Sequence, residues 1–235
     1  MKAIFKKELR SYFYSPLGYV FVAVFAIVTA LFFFIYNLVR GIGDITPVFS
    51  NILLLLVLIL PVLTMRSVAE EKNKKTDQLL LTCPISVTEI VIGKTLAAYV
   101  VFAIALALTL MFPLIISFYT EVSWPTVLCS YLGFFLTGAA FISVGIFISS
   151  LTENLLISAV SSFGALYALY LMEWLSSTMT NPVVVAVAKA LSVISRYNDF
   201  SMGIINVTNV VYFISFIAIF AVLTVTNIEK RRWIK

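Results

Sequence analysis

Thirteen of the 16 basic residues fall in three short patches, Met1 to Arg10, Arg66 to Lys94 and Glu229 to Lys235, and most of what lies between is apolar. The patches hold four, five and four of them and are separated by even numbers of membrane-length segments. Lys and Arg concentrate on the cytoplasmic side of polytopic membrane proteins, so the pattern predicts a multi-pass chain with both ends in the cytoplasm. With 62% hydrophobic residues, 11% charged residues and a mean hydropathy of +1.08, polar side chains are too few to cover a water-facing surface. Lipid is the solvent this composition requires.

A hydrocarbon core of about 30 Å needs roughly 20 apolar residues per helix. Six segments qualify: Leu17 to Val39, Val48 to Met65, Thr95 to Phe118, Val127 to Ser150, Leu155 to Leu175 and Val210 to Ile228. The first is too long for a cleavable signal core and reads as a retained anchor. The net charge of +5 matters less than its placement, which sets topology and meets anionic lipid without implying nucleic acid. The expected fold is one all-α integral membrane domain over residues 1–235, with six transmembrane helices.

Shorter elements punctuate the spans. At 100° per residue, Phe5, Leu9, Tyr12 and Phe13 share one helical arc and Lys6, Lys7 and Arg10 the adjoining one, which predicts an interfacial helix ended at Ser15-Pro16. In the long polar stretch after span two, Glu70 and Glu71 precede Lys74 and Lys75 by four residues, the favourable direction for helix-surface pairs. Thr76 and Asp77 then lead into Gln78-Leu79-Leu80-Leu81, a short amphipathic segment halted at Cys83-Pro84. Helical chemistry resumes over Val87 to Lys94. On the other side, Asn181-Pro182 opens an apolar helix through Ile194, too short to cross and expected to be re-entrant or to lie at the outer interface.

Catalysis finds little to work with. There is no histidine, which excludes His-based zinc sites, Ser-His-Asp triads and histidine proton relays. No Asp or Glu lies deep in a predicted span, and Glu173 is near the outer end of span five, which argues against proton-coupled transport. Gly93-Lys94-Thr95 imitates the end of a phosphate-binding loop, but the pattern requires glycine where Thr88 stands. The two cysteines, Cys83 and Cys129, fall on opposite sides of the predicted bilayer and cannot pair. Ala139/Ser143, Gly145/Ser149, Ser158/Ser162 and Ser161/Ala165 have small-xxx-small spacing, which predicts close packing of spans four and five across their short turn, with a dimer seam as the alternative.

The chain resembles the membrane subunit of ABC-2 type transporters, most closely the gliding-motility-type permeases. The likeness rests on Phe5-Lys6-Lys7-Glu8-Leu9, Met65-Arg66-Ser67-Val68-Ala69-Glu70-Glu71-Lys72, Leu79-Leu80-Leu81-Thr82-Cys83-Pro84-Ile85-Ser86 with Glu89 to Lys94, Phe200 to Asn206, and Glu229 to Trp233. It departs from the family where Lys75-Thr76 and Gln78 precede the leucines in place of Gly-Thr and an acidic residue. The resemblance implies a permease half in a plasma membrane, the bacterial inner membrane, with an N-terminal interfacial helix, a cytoplasmic coupling helix between spans two and three, and short outer helices before span six. It further implies export driven by two copies of a separate ATP-binding subunit that carries ATP and Mg, a second permease chain, contact with membrane lipids and an accessory envelope protein. Glu70, Glu71, Thr76, Gln78, Leu79, Leu80, Leu81, Thr82, Pro84 and Glu89 are then the expected ATPase-contact residues, with no catalytic, cofactor or metal residue in this chain. A non-transporting scaffold or motor anchor energised by such an ATPase is the alternative.

Overall fold

The computed structural model describes residues 1–41, 43–76, 85–179, 185, 187 and 192–233. Among these residues the regular structure is helical, and six helices are long and apolar enough to cross a membrane. The order is α1 (Lys2–Tyr14), α2 (Pro16–Phe33) prolonged by a π-helical stretch (Phe34–Val39), α3 (Thr46–Asn73), α4 (Val87–Leu108), α5 (Met111–Ser117), α6 (Trp124–Leu151), α7 (Leu155–Thr178), α8 (Val193–Ser201) and α9 (Val207–Trp233). The coupling residues Gln78, Leu79, Leu80, Leu81, Thr82 and Pro84 lie outside the described residues, as do Asn181-Pro182 and most of the outer helix expected after them.

The six spans match expectation except at the break in the third, between α4 and α5, and where α3 and α4 meet the polar stretch. There, α3 continues from Met65 to Asn73 and α4 already begins at Val87, so each projects about two turns beyond its predicted span. Ser86 caps α4 by accepting the Glu89 N–H at 3.3 Å. The α1–α2 corner follows from local sterics: Ser15 is extended before Pro16, and a Cβ on Gly18 would come within 2.6 Å of the Tyr12 carbonyl oxygen.

Helix α6 is the most enclosed element and touches α3, α4, α7, α8 and α9. Its glycines admit large neighbours: Phe200 of α8 covers Gly133, Phe102 of α4 covers Gly138, and Thr64 of α3 covers Gly145. Around it Phe25, Phe49, Phe102, Phe134 and Tyr197 are fully buried and meet ring to ring, with Phe49–Phe134 centroids 4.8 Å apart. Helix α2 joins this core through Phe21, Phe25, Thr29 and Phe33, a stripe at four-residue spacing. The small residues of α6 serve α3 and α4 as much as α7: Ser143 bonds the Tyr99 hydroxyl of α4 at 2.6 Å, and Ser149 bonds the α3 backbone. Helix α7 presents Ser158, Ser162 and Leu166 inward and leaves most of its other face to lipid.

The third span breaks between α4 and α5. Pro113 lacks the N–H that would bond the Thr109 carbonyl, and the Tyr131 hydroxyl of α6 donates to that carbonyl at 2.8 Å. Tyr131→Phe should cost about 1 kcal/mol and speed amide hydrogen exchange over residues 111–117 relative to the middle of α4. At the same end of the bundle Ser192 caps α8 and donates to Glu173 Oε2 at 2.6 Å, while Asn209 links Arg196 to Asp199.

Candidate functional site

At the end of the bundle where the basic patches gather, three helices contribute to one buried ion cluster. Helix α4 supplies Lys94, only 2% exposed. Its ammonium donates to Glu8 Oε1 of α1 at 3.0 Å and to the Ser67 carbonyl of α3 at 2.6 Å, and it pairs with Glu71 Oε2 of α3 at 2.9 Å. Three acceptors satisfy the three N–H groups of an ammonium. Lys7 pairs with Glu71 Oε1 at 2.9 Å and lies 3.7 Å from Glu8 Oε1. Two cations therefore balance two carboxylates, which is the condition for keeping charge out of water. Partial burial works against the Lys7 charge, but the hydrogen bond and charge of Glu71, with Glu8 behind it, hold its ammonium above the ordinary value.

The sequence folds this way because α1 can come close to α4. Gly93 leaves room for Ile4, whose Cγ2 would lie 3.0 Å from a Cβ there. The buried ridge of α1 is Ile4, Glu8 and Tyr12, one residue every four. Phe5, Leu9 and Phe13, expected on a lipid-facing arc, are half-buried along one side of that ridge, while Lys6, Lys7 and Arg10 are exposed. Tyr12 donates to the Leu63 carbonyl of α3 at 3.3 Å, and burial, then the Glu8 charge, pushes its hydroxyl pKa upward.

The expected ATPase-contact residues divide. Glu70 pairs with Lys74 at 2.7 Å, the predicted four-residue contact. Glu71 does not pair with Lys75, which has a left-handed φ of 57° at the end of α3; it turns inward to Lys94 instead. Thr76 donates its N–H to the Glu71 carbonyl at 2.9 Å, and Glu89 accepts the Met1 α-ammonium at 2.8 Å. Glu8 and Lys94 are the residues that sequence reasoning missed. Their signal was present: Glu8 continues the Ile4–Tyr12 row, and Lys94 stands two turns inside a helix that Ser86 starts.

A second polar seam lies beside the cluster. The Ser149 hydroxyl of α6 donates to the Met65 carbonyl at 3.0 Å and accepts the Val68 and Ala69 N–H groups at 3.2 and 3.0 Å, so a side chain stands in the hydrogen-bond ladder of α3 where such insertions bend helices. The Ser150 carbonyl accepts from Lys72 of α3 and, at 2.8 Å, from Asn227 of α9. These groups bind helices together and offer no nucleophile with an adjacent base. Among the described residues no cluster of His, Cys, Asp or Glu could hold a metal ion.

No curated protein matches the sequence. The family model described as ABC-2 family transporter protein matches residues 7–228, which takes in the ion cluster and all six spans, and the chain belongs to that family of membrane transport components.

Proposed function

We propose that this chain is one permease half of an ABC exporter, of the gliding-motility type, in the bacterial inner membrane with both ends in the cytoplasm. A separate ATP-binding subunit, present in two copies and carrying ATP and Mg, supplies the driving force, and a second permease chain completes the path. The reading is supported above all by the Lys94–Glu8–Glu71 cluster, which ties α1, α3 and α4 together at the two helix ends that flank residues 77–84. A push on that segment reaches three helices held as one unit, and the switch is a rigid-body movement of this unit against α6. Helix α1 lies along the headgroups with Lys6 and Arg10 toward anionic lipid.

Leu80→Asp tests the coupling. Burying one leucine is worth about 1.5–3 kcal/mol, so the variant should bind the co-purified ATPase about tenfold or more weakly, or uncouple hydrolysis from transport. Single cysteines at Gln78, Leu80 and Leu81 in a Cys83→Ser background should cross-link to the ATPase, and one at Asp44 should not. Normal ATPase association in Leu80→Asp, with labelling only by lipid-phase reagents, refutes the coupling role.

A further inference from the structure

Between α2 and α3 an apolar groove of about 420 Å³ opens to the lipid, lined by Val20, Phe21, Val24, Leu58 and Val62 and closed at the basic end by Arg66. Volumes of about 300–1,000 Å³ are usual for sites that hold small molecules. A smaller polar pocket, about 80 Å³, adjoins it and shares Leu17 and Arg66; Glu8, Ser11, Tyr12, Ser15, Ser67 and Glu70 complete its wall. Ser67 is 4% exposed, yet among the described residues its hydroxyl has no hydrogen-bond partner. A buried hydroxyl without a partner is costly, and Ser67 is one of the residues that line the polar pocket.

The pair of spaces has the form of an amphiphile, a polar head beside a long apolar tail. Leu58, Val62 and Arg66 stand one above the other at four-residue spacing and cover about 12 Å of α3 at 1.5 Å per residue. Arg66 is 43% exposed at its side chain and contacts Glu70 only at 3.8 Å, which leaves guanidinium donors for a planar, multidentate acceptor such as phosphate. The pocket also contains carboxylates. Glu8 is committed to Lys94, whereas Glu70 is held by Lys74 on one oxygen and has only the long Arg66 contact on the other. A purely anionic head would face these carboxylates unrelieved; a zwitterionic head carrying an ammonium complements both signs.

We propose that the groove and pocket together hold one aminophospholipid from the adjoining leaflet, its phosphate on Arg66 and the Ser67 hydroxyl, its ammonium beside Glu70, and one acyl chain along Val20, Val24, Leu58 and Val62. Such a lipid wedges the α1–α2 corner against α3 next to the ion cluster. It is a resident ligand of the permease, independent of what the transporter carries.

The protein, purified with its co-purifying ATPase, would be exchanged into nanodiscs of phosphatidylethanolamine, phosphatidylglycerol and phosphatidylcholine in equal parts, released gently and examined by native mass spectrometry. Wild type should retain one phosphatidylethanolamine per permease chain, and Arg66→Gln and Val62→Trp should each reduce that retention at least fivefold. Both side chains are substantially exposed, so folding should survive; if Val62→Trp does not fold, Leu58→Trp fills the same groove. Equal retention in wild type and variants overturns the site, and retention of phosphatidylglycerol instead overturns the assignment of Glu70. A disulfide-linked dimer of Val62→Cys that carries no lipid shows a second copy in the groove and likewise overturns it.

Discussion

Lys94→Met is expected to destabilise the protein by about 3–5 kcal/mol, the range found when one partner of a buried ion pair is removed. Methionine fills much the same space as the lysine stem, so packing alone predicts a small effect. The loss comes from what remains: Glu8 and Glu71 are two largely buried carboxylates with only the half-exposed Lys7 to balance them. The Ser67 carbonyl also loses its 2.6 Å donor. Thermal unfolding of the detergent-solubilised protein would show the loss, and Glu8→Gln separates charge from packing. On the Lys94→Met background Glu8→Gln leaves a balanced Lys7–Glu71 pair and should restore stability, with a coupling of about 1–3 kcal/mol between the two sites. If Glu8→Gln instead lowers stability further, the cluster is not held by charge balance.

This result bears on why the spans were legible in the sequence and the cluster was not. A span announces itself by a run of apolar residues long enough for the bilayer, a property of adjacent positions, and all six appear where hydropathy puts them. Their ends are less visible, because local spacing gives Glu70 and Glu71 helix-surface partners and offers Lys94 no carboxylate three or four residues away. Glu71 shows the difficulty: local spacing pairs it with Lys75, while the fold brings Lys94 to 2.9 Å from it. A helix-surface pair on an exposed face is worth only about 0.2–0.5 kcal/mol, so a buried ammonium that needs a counter-charge wins. Glu8 was hidden for a related reason. In the chain it stands among Lys6, Lys7 and Arg10, whose charges mark a surface helix, although on the helix it lies between Ile4 and Tyr12, and the approach of α4 over Gly93 turns that side of α1 inward.

Gly138→Ala should be strongly destabilising, costing about 3 kcal/mol at the upper end of overpacking effects. An added Cβ would fall 2.2 Å from Cε1 and 2.4 Å from Cζ of Phe102, far inside van der Waals contact. That ring is fully buried and cannot swing aside, because Phe25, Phe134 and Phe135 surround it with centroids 6.1 Å away in each case. Relief must come from moving α4 away from α6, which also loosens the Tyr99–Ser143 hydrogen bond one turn or so further along the same interface. Phe102→Leu alone should be destabilising through the space it empties. Combined with Gly138→Ala it should be less damaging than the sum of the two, and the double variant should melt higher than Gly138→Ala. Gly164→Ala supplies the contrast, since no atom lies within 4 Å of a Cβ there. On the lipid-facing side of α7 it should be neutral or stabilise by up to about 1 kcal/mol, the helix-propensity difference between glycine and alanine. Equal thermal shifts for the Gly138→Ala and Gly164→Ala variants would mean that backbone propensity, and not the contact with Phe102, governs glycine in this bundle.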